Sequence, residues 1–267
     1  NVYVYVYLYA FFLLFYFLFA FKYCRMKLIK LNAIDSTNEY IKLNKSLFSQ
    51  KSLVVYSFNQ TNGKGQRGKI WTSQPYKNIC ISFYNKIEKT SDEILFKTNL
   101  FISLAVLDIL KLYEIPKLKI KWPNDIMSGN KKIAGILIEN SFLRNKIVDS
   151  IIGIGLNVNQ IDFDLITGAT SMKILKNESF DLNKLFKEFI KKFSLIEHQI
   201  KNFSKDELLK KFTFHLYGLK KKQNFQIGNK VVQGLVLGIS DDYRLKVQID
   251  KQIKYFDNGQ IKLITQL

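Results

Sequence analysis

The chain has 267 residues, 47% of them hydrophobic, enough for a sizeable core, so disorder is not the starting expectation. Its formal net charge is +19, but 37 of the 41 basic residues are lysine and only four are arginine (Arg25, Arg67, Arg144, Arg244), spread over the whole length. Base readout favours the planar arginine fork, so the charge points to compositional bias and solubility rather than to a nucleic-acid footprint. Two cysteines (Cys24, Cys80) and two histidines (His198, His215) are too few for a structural zinc site or a disulfide framework, which suits a reducing, cytoplasmic compartment. Neither histidine has a Cys, Ser or Asp partner in a recognisable motif, so both read as structural.

Residues 1–21 carry no charge and could span a bilayer, with Lys22, Arg25 and Lys27 holding the remainder on the cytoplasmic side. No basic region precedes the apolar run, so a cleavable signal peptide fits poorly. Met26 opens a segment of different character. Residues 1–25 therefore read as an apolar extension, either an anchor or, the preferred reading, an over-extended reading frame. A membrane enters only if that extension is a real anchor.

After Met26, Ser36 with Glu39 three residues on predicts a capping box and a helix running to about Phe48. Residues 52–58 (SLVVYSF) predict a strand, as do residues 79–84, 118–122, 133–139 and 147–156. Apolar positions at helical spacing over 92–114 predict one long buried helix, and residues 181–217 carry two helical patterns. From about Lys220 the texture changes to short strands at 230–237, 243–249, 253–256 and 261–264, separated by the turns Ser240-Asp241-Asp242 and Asp257-Asn258-Gly259. This predicts a catalytic domain over 26–219 and a small β-barrel over 220–267.

Between the first two strands, Gly63-Lys64-Gly65-Gln66-Arg67-Gly68-Lys69 matches both G-x-G-x-x-G and G-x4-G-K. A Rossmann turn must enter a helix directly, and residues 69–75 (KIWTSQP) are not one; a P-loop needs Ser or Thr where Ile70 stands. The physical content survives: glycines let backbone N–H groups approach an anion, Lys64, Arg67 and Lys69 add charge, and Trp71 offers a flat surface for a ring. Further on, Lys121-Trp122-Pro123-Asn124-Asp125 ends a strand with residues hard to explain as packing. Lys132 stands at the mouth of an apolar strand in Lys132-Ile133-Ala134-Gly135-Ile136-Leu137, and Gly153-Ile154-Gly155-Leu156-Asn157-Val158-Asn159 closes another in alternating small and polar residues.

Together with Ser36-Thr37-Asn38 and the glycine loop over 60–71, these motifs resemble the biotin–protein ligase family in order and spacing, over about residues 28–264. The resemblance implies an α+β fold: a class II aminoacyl-tRNA-synthetase-like catalytic domain with a mixed sheet and flanking helices, followed by a small SH3-like β-barrel. It implies that ATP activates biotin to biotinyl-AMP and that a lysine of a biotin carboxyl carrier domain, part of a carboxylase, attacks the adenylate. Ser36, Thr37, Asn38, Gln60, Gly63, Lys64, Gly65, Lys132 and Gly135 would then bind biotin. Lys64, Gln66, Arg67, Lys69, Trp71, Lys121, Asn124, Lys132 and Asn157 would bind ATP. Lys132 would bridge carboxylate and α-phosphate, Lys64 would assist, and Asp125 would orient or deprotonate the incoming lysine. Mg2+ is implied by the triphosphate, with no protein metal ligand. The loop departs from the family's arginine-rich form at Lys64, Gln66 and Lys69; Gln66 removes a charge that normally faces the biotin carboxylate, leaving Arg67 or a lysine to compensate, or a less tightly held adenylate. Regulatory members carry a DNA-binding winged helix, for which the ten residues after Met26 leave no room, so no DNA partner is expected; a homodimer is left open. Lipoate–protein ligases resemble the family in fold and reaction and are the alternative reading.

Overall fold

The computed structural model describes residues 26–264 except 51, 88–90, 145, 164–166 and 195. The apolar extension 1–25 lies outside the described residues, as does the side chain of His198. Among the described residues no helix is long and apolar enough to cross a membrane.

Seven strands form the main sheet: β1 (Lys27–Leu31), β2 (Ser52–Ser57), β5 (Asn78–Lys86), β6 (Leu118–Lys121), β7 (Asp125–Ser128), β8 (Lys131–Leu143) and β9 (Lys146–Asn157). Their order is β1-β2-β5-β9-β8-β7-β6, with β1 parallel to β2 and the remaining pairs antiparallel, so the sheet is mixed as expected. Between β2 and β5 lie two short strands, β3 (Gly63–Lys64) and β4 (Ile70–Trp71), paired with each other alone. Successive side chains along a strand face opposite sides. In β2, Val54 enters the large core while Leu53 and Val55 enter a second, smaller cluster with Ile41, Tyr84 and Ile151.

The large core is roofed by α2 (Asp92–Leu112), the long helix predicted over 92–114. Its Leu100, Ile102, Leu107 and Ile109 are buried essentially completely, each contributing roughly 1.5–3 kcal/mol before entropy is subtracted. Where two helical patterns were predicted there are three helices, α4 (Leu182–Phe193), α5 (Ile196–Asn202) and α6 (Lys205–Phe214), all packed on α2. Phe193 of α4 stacks on Phe83 at 4.8 Å and Phe186 on Tyr56 at 3.8 Å. Ser204 caps α6 with a reciprocal capping box to Glu207. His215 closes that helix: its backbone N–H bonds the last-turn carbonyls and its Nε2 lies 3.2 Å from Lys111 Nζ. Burial, then Lys111 and Lys119, hold its pKa below the usual histidine value, consistent with a neutral ring that accepts from Lys111.

The smaller cluster is covered by α1 (Thr37–Asn44), which continues as a 3-10 turn to Leu47. Ser36 caps it, accepting from Glu39 N at 3.4 Å, while the Glu39 carboxylate lies 3.7 Å from Lys42 instead of completing the expected box. Six elements went unpredicted: β1, the short pair β3 and β4, β7, β10 (Lys222–Ile227) and the short helix α3 (Met172–Lys176). In β1 no residue is fully buried and in β10 Phe225 alone is, so neither shows apolar alternation.

The C-terminal strands β10, β11 (Lys230–Ile239), β12 (Leu245–Ile249), β13 (Gln252–Phe256) and β14 (Lys262–Ile264) form an antiparallel sheet in the order β13-β12-β11-β10-β14. The hydrogen-bonded ladders run from β13 to β14, with a bulge between Val236 and Gly238. Phe225, Val236 and Val247 join the same core as α2, so this sheet is cemented to the catalytic one. Tyr243, in the β11–β12 turn, ties the two together: its OH donates to Pro123 O at 2.6 Å, and Trp122 Nε1 donates to Tyr243 O at 2.9 Å. Removing that hydroxyl leaves the Pro123 carbonyl short of a donor. Tyr243→Phe is expected to cost about 1–2 kcal/mol in urea unfolding with an unchanged m-value; a midpoint equal to wild type would show the bond to be energetically idle.

Candidate active site

The face of the main sheet under α1 carries an unusual set of residues. Alternation places Cys80 and Ser82 of β5, Gly135, Leu137 and Glu139 of β8, and Gly153 and Gly155 of β9 on it, with Ser82 opposite Gly153 and Gly135 opposite Gly155. Three glycines on adjacent strands leave the sheet bare, and the space is filled from above. A Cβ at Gly155 would overlap the Trp71 indole, and one at Gly153 would overlap the Asn38 amide. The alternating small residues of 153–157 thus seat Trp71 and Asn38 as well as lining a ligand space.

An open cleft of about 460 Å3 lies over this floor. Of the residues expected at the site, Ser36, Thr37, Asn38, Gln60, Lys64, Gly65, Gln66, Trp71, Asn124, Lys132 and Gly135 line it. The segments around 63–71 and 121–135 therefore share one pocket. Ile136 and Leu137 of the motif at 132–137 and Gly153, Ile154 and Gly155 of the motif at 153–159 line it too, as does Cys80, which was not expected there. Burial pushes the Cys80 thiol up to about 12, which makes it a small apolar wall and not a nucleophile.

One end of the cleft is a buried polar cluster. Gln60 Oε1 accepts from Thr37 N at 3.0 Å and lies 3.3 Å from the Thr37 hydroxyl. A backbone N–H can only donate, so the amide is fixed with Oε1 toward Thr37 and Nε2 beside Gly63, whose missing Cβ makes room for it. Ser82 lies 2.7 Å from the Thr37 hydroxyl and 2.6 Å from Asn38 Oδ1, and Asn38 Nδ2 donates to Glu139 at 2.8 Å. Ser82 and Glu139 were not expected at the site.

The other end is cationic. Lys132 Nζ is 2.6 Å from Asp125 Oδ1 and 5.3 Å from the Trp71 ring centroid. Its backbone is clamped on both sides, Lys132 N donating to Gly168 O at 2.7 Å and Thr170 N to Lys132 O at 2.9 Å. Lys121 lies close by. Burial depresses its pKa, the neighbouring Lys132, Lys69 and Lys262 depress it further, and Asp125 opposes them. Lys121 thus feels three other ammonium groups and one carboxylate, which leaves positive charge unmatched in this region, as suits a multiply charged anion.

Several expected residues stand elsewhere. Asn157 is 4% exposed and donates to Thr170 O at 3.0 Å, so it braces the segment that clamps Lys132 and does not line the cleft. The Asn124 amide donates to Ile136 O, tying β7 to β8 from the cleft wall. Residues 63–71 form a β3–β4 hairpin instead of an open cradle of N–H groups: Gly65 N is used by Lys69 O at 2.7 Å and Lys69 N by Gln66 O at 3.2 Å. Arg67, with φ of 56°, turns away to bond Asn258 O, while Gln66 Oε1 accepts from Asn258 Nδ2 at 3.0 Å. Arg67 therefore does not replace the charge absent at Gln66; Lys64 and Lys132 are the cations on the cleft wall. Among the described residues no group of three or more His, Cys, Asp or Glu could hold a metal ion.

The glycine floor is testable through the indole it seats. Gly155→Ala is expected to drive Trp71 off the sheet, giving red-shifted tryptophan emission at a stability cost of about 1–3 kcal/mol. Trp122, 8% exposed, stays as an unmoved internal reference. An unshifted spectrum would show that the floor tolerates a methyl group.

A family model described as the biotin/lipoate A/B protein ligase family matches residues 31–157. The bifunctional ligase/repressor BirA of Salmonella typhimurium is 27% identical over 242 residues, covering 87% of this chain and 73% of that protein. The biotin–[acetyl-CoA-carboxylase] ligase of Mycobacterium tuberculosis is 25% identical over 213 residues, 78% of each chain. Among solved structures, the biotin protein ligase of Aquifex aeolicus in complex with biotin and ATP superposes with a TM-score of 0.72 at 26% identity, over 90% of this chain and 99% of that one. With the expected motifs gathered along one cleft, the chain belongs to the biotin/lipoate A/B protein ligase family, among its biotin–protein ligases.

Proposed function

We propose that the cleft joins biotin to the α-phosphate of ATP and passes the biotinyl group to a lysine of a carboxylase's biotin carrier domain. The observation that carries the reading is the polarity of the two ends: a neutral hydrogen-bonding cluster at one, unmatched ammonium groups at the other. A cyclic urea presents a carbonyl flanked by two N–H groups. The Ser36 hydroxyl and Gln60 Nε2 supply donors for the carbonyl, and Thr37 supplies an acceptor for an N–H. A dithiolane offers nothing to such a cluster, which favours biotin over lipoate.

At the cationic end the difficulty is repulsion between a carboxylate and a triphosphate. Lys132, Lys64, Lys69 and Lys121 reduce it before the anions arrive, so the stabilisation is preorganised. A biotin carboxylate oxygen attacks the α-phosphorus, the bond to the bridging oxygen breaks, and pyrophosphate leaves with the electron pair. The acceptor amine then attacks the acyl carbon of the mixed anhydride and AMP departs. That amine must shed protons, since a free lysine with a pKa of about 10.4 is mostly protonated at neutral pH. Asp125 is the carboxylate on hand. It is held by Lys132, so a ligand anion that draws Lys132 toward itself releases Asp125 for the second step. Trp71 would face the nucleotide base, and Gly63, Gly65 and Gly135 leave room for the substrate. Magnesium would enter with the triphosphate as part of that substrate and would supply charge neutralisation. A cytoplasmic site of action is part of the proposal.

Lys132→Ala is expected to abolish biotinyl-AMP formation from labelled biotin and ATP while the circular-dichroism spectrum and melting temperature stay near wild type. Turnover within a few-fold of wild type would remove the mechanism. Lipoyl-AMP formed without biotinyl-AMP would favour the lipoate reading. The depressed pKa of Lys121 gives a second check. A bound triphosphate restores that pKa upward, so at alkaline pH below about 10 nucleotide binding takes up protons. Calorimetry in buffers of different ionisation enthalpy should show this uptake at pH 9 and less of it in Lys121→Met; proton release instead would contradict the assignment.

A further inference from the structure

We infer that Glu139, which does not line the cleft, is a positioning residue that sets the donor–acceptor polarity of the urea end through a relay of three side chains. The inference rests on the biotin reading above and deepens it.

The relay follows from counting hydrogens. A carboxylate only accepts, so Asn38 must turn Nδ2 toward Glu139, where the distance is 2.8 Å. Asn38 Oδ1 is then left facing Ser82, at 2.6 Å. Ser82 has one hydrogen, and Oδ1 cannot donate, so that hydrogen goes to Asn38. The 2.7 Å contact between the Ser82 and Thr37 hydroxyls must then take its hydrogen from Thr37. The other neighbour of that hydroxyl, Gln60 Oε1 at 3.3 Å, also only accepts, because its amide is oriented by Thr37 N. Both protein neighbours call for the Thr37 hydrogen. What Thr37 shows the cleft is a lone pair, the partner a urea N–H requires.

Each link is held tightly. Ser82, Asn38 and Thr37 are 0%, 3% and 4% exposed, so water cannot readily exchange into the row. Asn38 lies flat on Gly153, where any side chain would displace it. Among the described residues Glu139 is the one carboxylate joined to the row, and Lys42 lies 3.7 Å from its other oxygen. Replacing Glu139 by glutamine keeps the shape but adds an N–H donor. Asn38 can then turn over, Ser82 can donate to Thr37, and the Thr37 hydrogen is free to point into the cleft against the urea N–H.

The test is calorimetric titration of wild type, Glu139→Gln and Lys42→Ala with biotin and with the two cyclic-carbamate analogues in which one or the other ureido N–H is replaced by oxygen. Wild type should bind biotin and discriminate strongly against one of the two carbamates. Glu139→Gln should bind biotin about tenfold more weakly and lose most of that discrimination, with kcat at saturating biotin and KM for ATP unchanged. Lys42→Ala, which removes the ion pair but not the direction of the relay, should match wild type. The glutamine is isosteric and the Glu139 side chain is 31% exposed, so the variant is expected to fold, which a melting curve verifies. Equal biotin affinity in wild type and Glu139→Gln overturns the relay. So does an equal loss for biotin and both carbamates, which is what a merely structural role produces, or a loss in Lys42→Ala matching that in Glu139→Gln. Wild type that fails to bind biotin at all overturns the functional reading instead.

Discussion

Three neighbouring strands, β5, β9 and β8, turn their smallest side chains to the same side of the sheet, and the cleft exists because of that. Period-two alternation means a strand that buries Ile152, Ile154 and Leu156 on one face must offer whatever stands between them to the other. In β9 those residues are Gly153 and Gly155, and the register sets Ser82 and Gly135 beside them. One residue of slip would bring isoleucines to the cleft and glycines to the core. The pairing that builds the hydrophobic core therefore also builds the site, and neither can change alone.

On that floor two electrostatic regimes sit within one cavity. At the polar end every charge is kept back: Glu139 and Lys42 lie beyond Asn38, and the surface facing the cleft is neutral, buried and directional. At the opposite end Lys64 and Lys132 line the wall, with Lys121 partly buried behind them and Asp125 as the opposing carboxylate. Crowded ammonium groups destabilise one another when no anion is present: burial is the main cause of the depressed pKa of Lys121, and its lysine neighbours depress it further. On the proposed function, such a site would bind a triphosphate partly by relieving its own repulsion, and the neutral polar row would keep that attraction from drawing phosphate to the wrong end.

Much of this was legible in the amino-acid order, and the limits have physical causes. Ser36 as a cap, the strand at 52–57, the long helix and the convergence of Lys64, Trp71, Asn124 and Lys132 follow from local pattern and motif chemistry. Ser82 and Glu139 did not, because their roles depend on which residues stand opposite them across strands and against α1, and no local window carries a register. Arg67 and Asn157 were placed at the ligand for the residue types they are. Backbone geometry turned the first away, through the left-handed conformation at position 67, and the burial of the second spent its amide on Thr170. The edge strand β1 and strand β10 escaped notice for a related reason: each is half solvated, and lysines and glutamines interrupt the pattern that alternation would have left.

The C-terminal sheet belongs in the same physical picture. Besides the shared core, two of its polar contacts lead to the cleft. Tyr243 holds Pro123, next in sequence to the Asn124 and Asp125 of the cationic end, while Asn258 holds Gln66 and Arg67 at the tip of the hairpin that carries Lys64 and Trp71. A lysine-rich wall tends to splay unless its two sides are pinned, since each ammonium gains by moving from the next. The turns at 240–244 and 257–260 pin those sides from outside, using neutral carbonyls, an amide and a phenol that add no charge to the wall. Arg67 takes part in that pinning through its bond to Asn258 O, at the hairpin tip and not on the cleft wall.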